Sequence, residues 1–224
     1  MKIIEHFFTL IAPDECLVCG AEGSLLCVAC SSVKLQKLPE RCYRCFKQMA
    51  GYKTCLSCRR HSVLKYVFTR TEYDQLAKNL IYALKFSFTK SAARPIAREI
   101  AGLLPPLPKN TVIVHVPAAT SHARQRGFDQ SALLARELSK LLNLPHIHAL
   151  ARIGQQRQVG ASRSVREQQM KNAYRALSLS VIKDANILLV DDVTTTGSTL
   201  EAAGLTLRRA GAASVSAAVF AQAI

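Results

Sequence analysis

Tryptophan is absent from this 224-residue chain, and aromatic side chains make up only 6% of it. That leaves few platforms on which nucleobases could stack. No run of 18 apolar residues occurs, so nothing in the sequence is built to span a bilayer. The G-x-x-x-x-G-K string of P-loop proteins is missing, which removes one common way of holding a nucleoside triphosphate. No His–Asp or Cys–His pair announces an activated nucleophile. Acidic residues are scarce: 15 Asp and Glu stand against 30 Lys and Arg, for a net charge of +15. Cysteine is absent beyond position 58.

What is present is as uneven as what is missing. Hydrophobic residues form 49% of the chain, enough for a buried core and too many for a disordered one. Between residues 115 and 175, ten basic residues face three acids, and arginine outnumbers lysine eight to two. Arginine is the better fork for phosphate, so this stretch points to an anionic partner. The apolar stretch Ile3–Ile11, broken by Glu5 and His6, reads as a short amphipathic helix rather than a signal peptide. The expected location is the cytoplasm.

All eight cysteines share one spacing: Cys16/Cys19, Cys27/Cys30, Cys42/Cys45 and Cys55/Cys58. Two residues between cysteines turn both thiolates to one side of a knuckle, and two knuckles close a tetrahedral shell around zinc. Disulfides fit a reducing compartment poorly. A redox C-x-x-C normally stands once, beside a βαβ unit. The spacing therefore predicts two structural zinc sites of four cysteines each, with no position left for water. Sequential grouping, Cys16, Cys19, Cys27 and Cys30 against Cys42, Cys45, Cys55 and Cys58, is the simplest. An interleaved grouping stays open on spacing alone.

Residues 61–65 read as a short linker, dividing the chain into segments 1–62 and 63–224. Beyond it, strands and helices alternate. Strands are predicted over Tyr66–Tyr73, Thr111–Val116, Ile147–Ala149, Ile187–Val190 and Ser214–Phe220. Helices are predicted after the Asp74 cap, over Ser91–Leu104, Phe128–Leu142, Val165–Ala173 and Gly197–Ala210, the last stopped by Gly211. Residues 151–164, rich in Gln, Arg, Gly and Ser, read as a mobile segment. The alternation implies an α/β fold with a mostly parallel sheet.

The most informative string is I-L-L-V-D-D-V-T-T-T-G-S-T-L, residues 187–200. A buried strand delivers two carboxylates, Asp191 and Asp192, at its carboxyl end, where open α/β sheets bind ligands. A hydroxyl-rich turn then enters a helix, whose first N–H groups and dipole attract phosphate. Thr194, Thr195, Thr196, Ser198 and Thr199 add hydroxyls, and Gly197 lets the backbone approach closely. The carboxylates must face something other than the phosphate, and adjacent ribose hydroxyls suit them as donors. Upstream, residues 114–130 leave another strand through a basic loop that carries Arg124 and Arg126.

The 187–200 string resembles the loop of type I phosphoribosyltransferases that binds 5-phosphoribosyl-1-pyrophosphate (PRPP). With four cysteine knuckles and the R-G-F-D-Q of residues 126–130, the chain is similar to the ComF family of competence proteins. That resemblance implies a double zinc ribbon followed by a phosphoribosyltransferase domain. It implies ribose contacts for Asp191 and Asp192, 5′-phosphate contacts for Thr194 to Thr199, and Mg²⁺ bound with PRPP. Residues 117–127 would hold pyrophosphate, with Arg124 and Arg126 on the leaving group. Residues 151–165 would form a lid carrying Arg157 and Arg163, and Lys85 would reach the site. The family's role in natural transformation further implies single-stranded DNA as a partner, and association with the inner membrane through a DNA-uptake complex. In a non-enzymatic version, the PRPP site is a sensor or holds a 5′-phosphorylated DNA end. Two positions depart from the pattern: Asp129 replaces the usual Asn, and Gln155 an expected Thr.

Overall fold

A computed structural model of the chain describes residues 13–86, 90–118, 127–153 and 173–223. In chain order the helices and strands are α1 (Val28–Lys34), α2 (Leu56–Arg59), β1 (Leu64–Glu72), α3 (Gln75–Phe86), α4 (Ala93–Ala101), β2 (Thr111–His115), α5 (Gln130–Leu142), β3 (Leu150–Arg152), β4 (Tyr174–Ala176), α6 (Leu179–Ile182), β5 (Asn186–Thr194), α7 (Ser198–Arg209) and β6 (Ser214–Gln222). Four strands form one parallel sheet in the order β1-β6-β5-β2. β3 and β4 form a separate antiparallel pair.

The central strands are nearly continuous runs of Val, Ile, Leu and Ala because both faces of the sheet are covered. Alternate residues serve opposite sides. Leu188 and Val190 join Ile113, Phe220 and the buried faces of α3, α4 and α5. Ile187 and Leu189 join Val112, Val114, Val219 and the Leu200 and Leu207 side of α7. The cysteine-rich segment takes part in both layers: Leu26, Leu35 and Tyr52 lie in the first, Tyr43 in the second.

Several boundaries differ from those expected of the sequence, most of them for a hydrogen-bonding reason. β5 does not stop at Val190. It continues through the two aspartates to Thr194, because β6 keeps pairing with it as far as Gln222. Residues 61–65 are not a loose connection: the Val63 amide donates to Glu201 at 3.1 Å, and β1 already begins at Leu64. The helix expected over Ser91–Leu104 is α4, preceded by a single 3₁₀ turn. The strand expected at Ile147–Ala149 lies slightly later, at Leu150–Arg152, where it meets β4. That pairing pins Ala151 and Arg152, the first two residues of the expected lid, and Ile153 donates to the Ala173 carbonyl at 2.8 Å. The remainder of the expected lid, the helix over Val165–Ala173 up to residue 172, and the N-terminal Ile3–Ile11 stretch lie outside the described residues. Among the described residues, no helix is long and apolar enough to cross a membrane.

Asp129 has a structural account. It is the N-cap of α5, its Oδ1 accepting from Ser131 and Ala132 amides at 3.0 and 3.2 Å. Its Oδ2 accepts from the Ala118 amide at 2.8 Å, tying the end of the β2 segment to the start of α5. Two acceptor oxygens are needed for this, and an asparagine offers one. Asp129→Asn is expected to lower stability by about 1 kcal/mol, and Asp129→Ala to cost about 2 kcal/mol through the lost cap. Urea unfolding measures both; an asparagine variant as stable as the parent contradicts the role of Oδ2.

Candidate functional site

The parallel strands β2 and β5 end on the same side of the sheet, and β5 is the longer. The last paired residue of β2, His115, lies opposite Val190, and the Val116 amide closes the ladder on the Val190 carbonyl at 3.0 Å. Asp191 to Thr194 therefore project past β2 while β6 still holds them. The projection brings the start of α5 and the end of α3 to the acid pair.

Asp191 and Asp192 are 9% and 5% exposed. The Ser131 hydroxyl, from the first turn of α5, donates to Asp191 Oδ1 at 2.8 Å, and the Asp192 amide donates to the same oxygen at 2.9 Å. Burial, followed by the neighbouring Asp192 charge, holds the Asp191 carboxyl well above its ordinary range. Asp192 meets Lys85 Nζ in an ion pair from the last turn of α3. Two adjacent carboxyls thus take different partners: a hydroxyl for one, an ammonium for the other.

After Thr194 the chain turns. The Thr196 and Ser198 hydroxyls lie 2.6 Å apart, both exposed. Gly197 caps α7 with φ 76°, a left-handed conformation that disfavours any side chain. A second reason for glycine is steric: a Cβ there would lie 2.4 Å from Cε2 of Tyr43. The first amides of α7 have no intrahelical acceptor, as at any helix start. A strand end, a hydroxylated turn and a helix start, whose Ser198 amide donates to the Thr196 hydroxyl at 3.4 Å, lie beside a pair of carboxyls that suit hydroxyl donors.

The eight cysteines gather into two groups of four, Cys16, Cys19, Cys27 and Cys30, and Cys42, Cys45, Cys55 and Cys58. In each, all four sulfurs lie within 4.8 Å of one another. Closest approaches include 3.9 Å for Cys19–Cys27 and 3.6 Å for Cys45–Cys55. A tetrahedral ion with metal–sulfur bonds of about 2.3 Å places its sulfurs about 3.8 Å apart, so the clusters fit such an ion. Their chemistry agrees. The Ser57 hydroxyl and the Cys58 amide bring the Cys55 thiol down to about 6. The Cys19 and Cys27 sulfurs push Cys30 up to about 12, and burial with its Cys55 and Cys45 neighbours does the same to Cys58. Four sulfurs this close resist ionising together unless a cation joins them.

Among the expected site residues, Asp191, Asp192, Lys85 and Thr194 to Thr199 come together at one end of the sheet. Arg124, Arg126, Arg157, Arg163 and Gln155 lie outside the described residues. Other residues near the site carried no signal in the sequence. Ser131 is one. A histidine trio is another: His115 Nδ1 lies 2.9 Å from His146 Nε2, and His115 Nε2 lies 3.2 Å from His148 Nδ1. Burial brings His115 down to about 4 against the pull of Asp129, so it stands neutral near pH 7.

Residues 129–223 match the family described as phosphoribosyl transferase domain. The chain is 35% identical over 159 residues to the DNA utilization protein YhgH of Escherichia coli, covering 66% of this chain and 67% of that one. It is 27% identical over 221 residues to competence protein ComFC of Bacillus subtilis, covering 92% of this chain and 84% of that one. It is 37% identical over 101 residues to competence protein F of Haemophilus influenzae, covering 43% of this chain and 44%, under half, of that protein. With the parallel sheet, the acid pair that ends β5 and the two cysteine clusters, this likeness places the chain in the ComF family, with a phosphoribosyltransferase domain on its C-terminal side.

Proposed function

We propose that the chain binds PRPP at the carboxyl end of β5 and acts as a phosphoribosyltransferase-type protein in DNA uptake. The observation that carries this reading is the buried acid pair running directly into a hydroxylated turn and a helix start. Asp191 and Asp192 accept the ribose 2′- and 3′-hydroxyls. The turn from Thr194 to Thr199 takes the 5′-phosphate on backbone amides and hydroxyls. Arg124 and Arg126 take the pyrophosphate. Mg²⁺, when bound with PRPP, supplies further neutralisation of the leaving group. In turnover the bond from C1 of the ribose to the pyrophosphate oxygen breaks, the electron pair leaves with pyrophosphate, and a nucleophile bonds to C1. The protein's part is to orient the ribose and spread the leaving charge rather than to supply a nucleophile of its own. Both cysteine clusters hold structural zinc in this account.

The pair Asp191→Asn with Asp192→Asn tests the ribose contact. Affinity for PRPP with Mg²⁺, measured by calorimetry, is expected to fall at least about 100-fold, or about 2.7 kcal/mol. Undiminished affinity means the carboxyls do not meet the sugar.

The raised pKa of Asp191 gives the site a pH signature. Its folded value exceeds the unfolded one, so its contribution to stability is full below the unfolded pKa and is lost as pH rises through the folded pKa. Asp191→Asn alone is therefore expected to lose less stability than the parent as pH rises, as thermal melts across pH will show. A ligand that prefers the carboxylate must also displace the proton, so PRPP with Mg²⁺ binds more tightly as pH rises and releases protons. Calorimetry in buffers of different ionisation enthalpy counts them; binding with no proton release contradicts this protonation state.

The names of the relatives and the net charge of +15 favour a second ligand, single-stranded DNA. Binding of a short single strand is expected to weaken linearly on a log–log plot against salt. Salt-independent binding contradicts a charged groove.

A further inference from the structure

The second cysteine cluster grips the phosphate turn. Tyr43 and Arg44 are the two residues between Cys42 and Cys45, so whatever fixes that knuckle fixes both of them. Tyr43 is 2% exposed. Its ring lies over Gly197, in the space a Cβ would need. Its hydroxyl donates to the carboxylate of Glu201, in the first turn of α7, and lies 3.0 Å from the Ser62 hydroxyl. Arg44 Nη1 reaches the same Glu201 oxygen at 3.2 Å, while the other accepts from the Val63 amide. The near end of the turn is held as well. Gln222 Nε2 donates to the Tyr43 carbonyl at 3.0 Å, and Arg41 donates to Gln222 Oε1 at 3.2 Å. Gln222 is the β6 partner of Thr194, and the next amide, of Ala223, donates to the Thr194 carbonyl at 2.9 Å.

Both ends of the turn therefore bear on a single knuckle. The arrangement also deals with a charge. Glu201 places an acid in the first turn of the helix proposed to meet a phosphate, and two like charges there repel. Tyr43, Arg44 and Val63 together draw both of its oxygens toward the cysteine-rich segment. Among the described residues, the first cluster makes no comparable contact with the turn. Its segment docks on α4, where Arg98 donates to the Leu26 carbonyl at 2.9 Å and Ser31 to Glu99.

We infer that Tyr43 is a positioning residue for the phosphate turn, and that metal occupancy of the Cys42, Cys45, Cys55 and Cys58 cluster is thermodynamically linked to phosphoryl-ligand binding, whereas occupancy of the first cluster is not. This rests on the PRPP reading of the turn. Linkage is reciprocal: if the bound metal orders the turn for its ligand, the ligand must hold the metal more tightly.

The test uses the full zinc-loaded chain. Zinc is drawn off with a chelator, with and without saturating PRPP and Mg²⁺, while an alkylating reagent labels each freed cysteine for mass spectrometry. PRPP is expected to slow labelling of Cys42, Cys45, Cys55 and Cys58 by about 5-fold or more, and to leave Cys16, Cys19, Cys27 and Cys30 unchanged. Tyr43→Phe keeps the ring over Gly197 but loses the bond to Glu201. It is expected to retain both metals, to bind PRPP more weakly and to show reduced protection. Equal protection of both clusters, or of neither while calorimetry shows PRPP bound, overturns the linkage. No binding of PRPP by the parent chain in calorimetry instead defeats the reading of the site on which the linkage rests.

Discussion

Two carboxyls in succession near the end of a buried strand repel each other, and much of the local structure answers that repulsion. β5 cannot drop the pair into solvent, because β6 continues to hold it as far as Thr194. The pair is instead divided. Ser131 stabilises Asp191 with a neutral donor, and Lys85 compensates Asp192 with a charge. Those two partners come from α5 and α3, so packing on one face of the sheet supplies a separate partner to each carboxyl. Asp129 contributes by fixing where α5 begins, through three amide donors on its two oxygens. The residue that departs from the family's usual asparagine is thus the one that holds Ser131 in register with Asp191.

The cysteine-rich segment is part of the same construction. It contributes Tyr52, Leu26 and Leu35 to one hydrophobic layer and Tyr43 to the other, so it does not hang from the sheet by a tether. A segment with so little apolar core of its own needs cross-links, and a tetrahedral ion in each cluster would supply them. Its placement over Gly197 and Glu201 makes it one wall of the candidate site.

The sequence was most legible where chemistry is local. C-x-x-C spacing and the D-D-V-T-T-T-G-S-T string can each be read within a few residues: the cysteines gather into two groups of four, and the string runs from a strand end through a turn into a helix. The sheet was legible too, because strands buried on both faces read as apolar runs. The end of β5 was not: Asp191 and Asp192 look like a strand terminus in any hydrophobicity pattern, and only pairing with β6 carries the strand through them. The Tyr43–Glu201 contact joins residues 158 positions apart and leaves no periodic trace. Ser131 and the trio of His115, His146 and His148 were equally silent, since a serine in a first helical turn and scattered histidines are ordinary in isolation. The β3–β4 pair is too short to place well from a pattern, and it holds only the first two residues, Ala151 and Arg152, of the segment read as a lid.

The central claim is that the end of β5 and the turn after it recognise a phosphorylated ribose. It is tested most directly by calorimetric titration of the zinc-loaded chain with PRPP and Mg²⁺, alongside ribose 5-phosphate and inorganic pyrophosphate. The account predicts saturable binding of PRPP, weaker binding of ribose 5-phosphate to the same site, and competition between the two. Pyrophosphate binding as tightly as PRPP, with ribose 5-phosphate not competing, would contradict it, because the acid pair and the turn would then have no part in recognition.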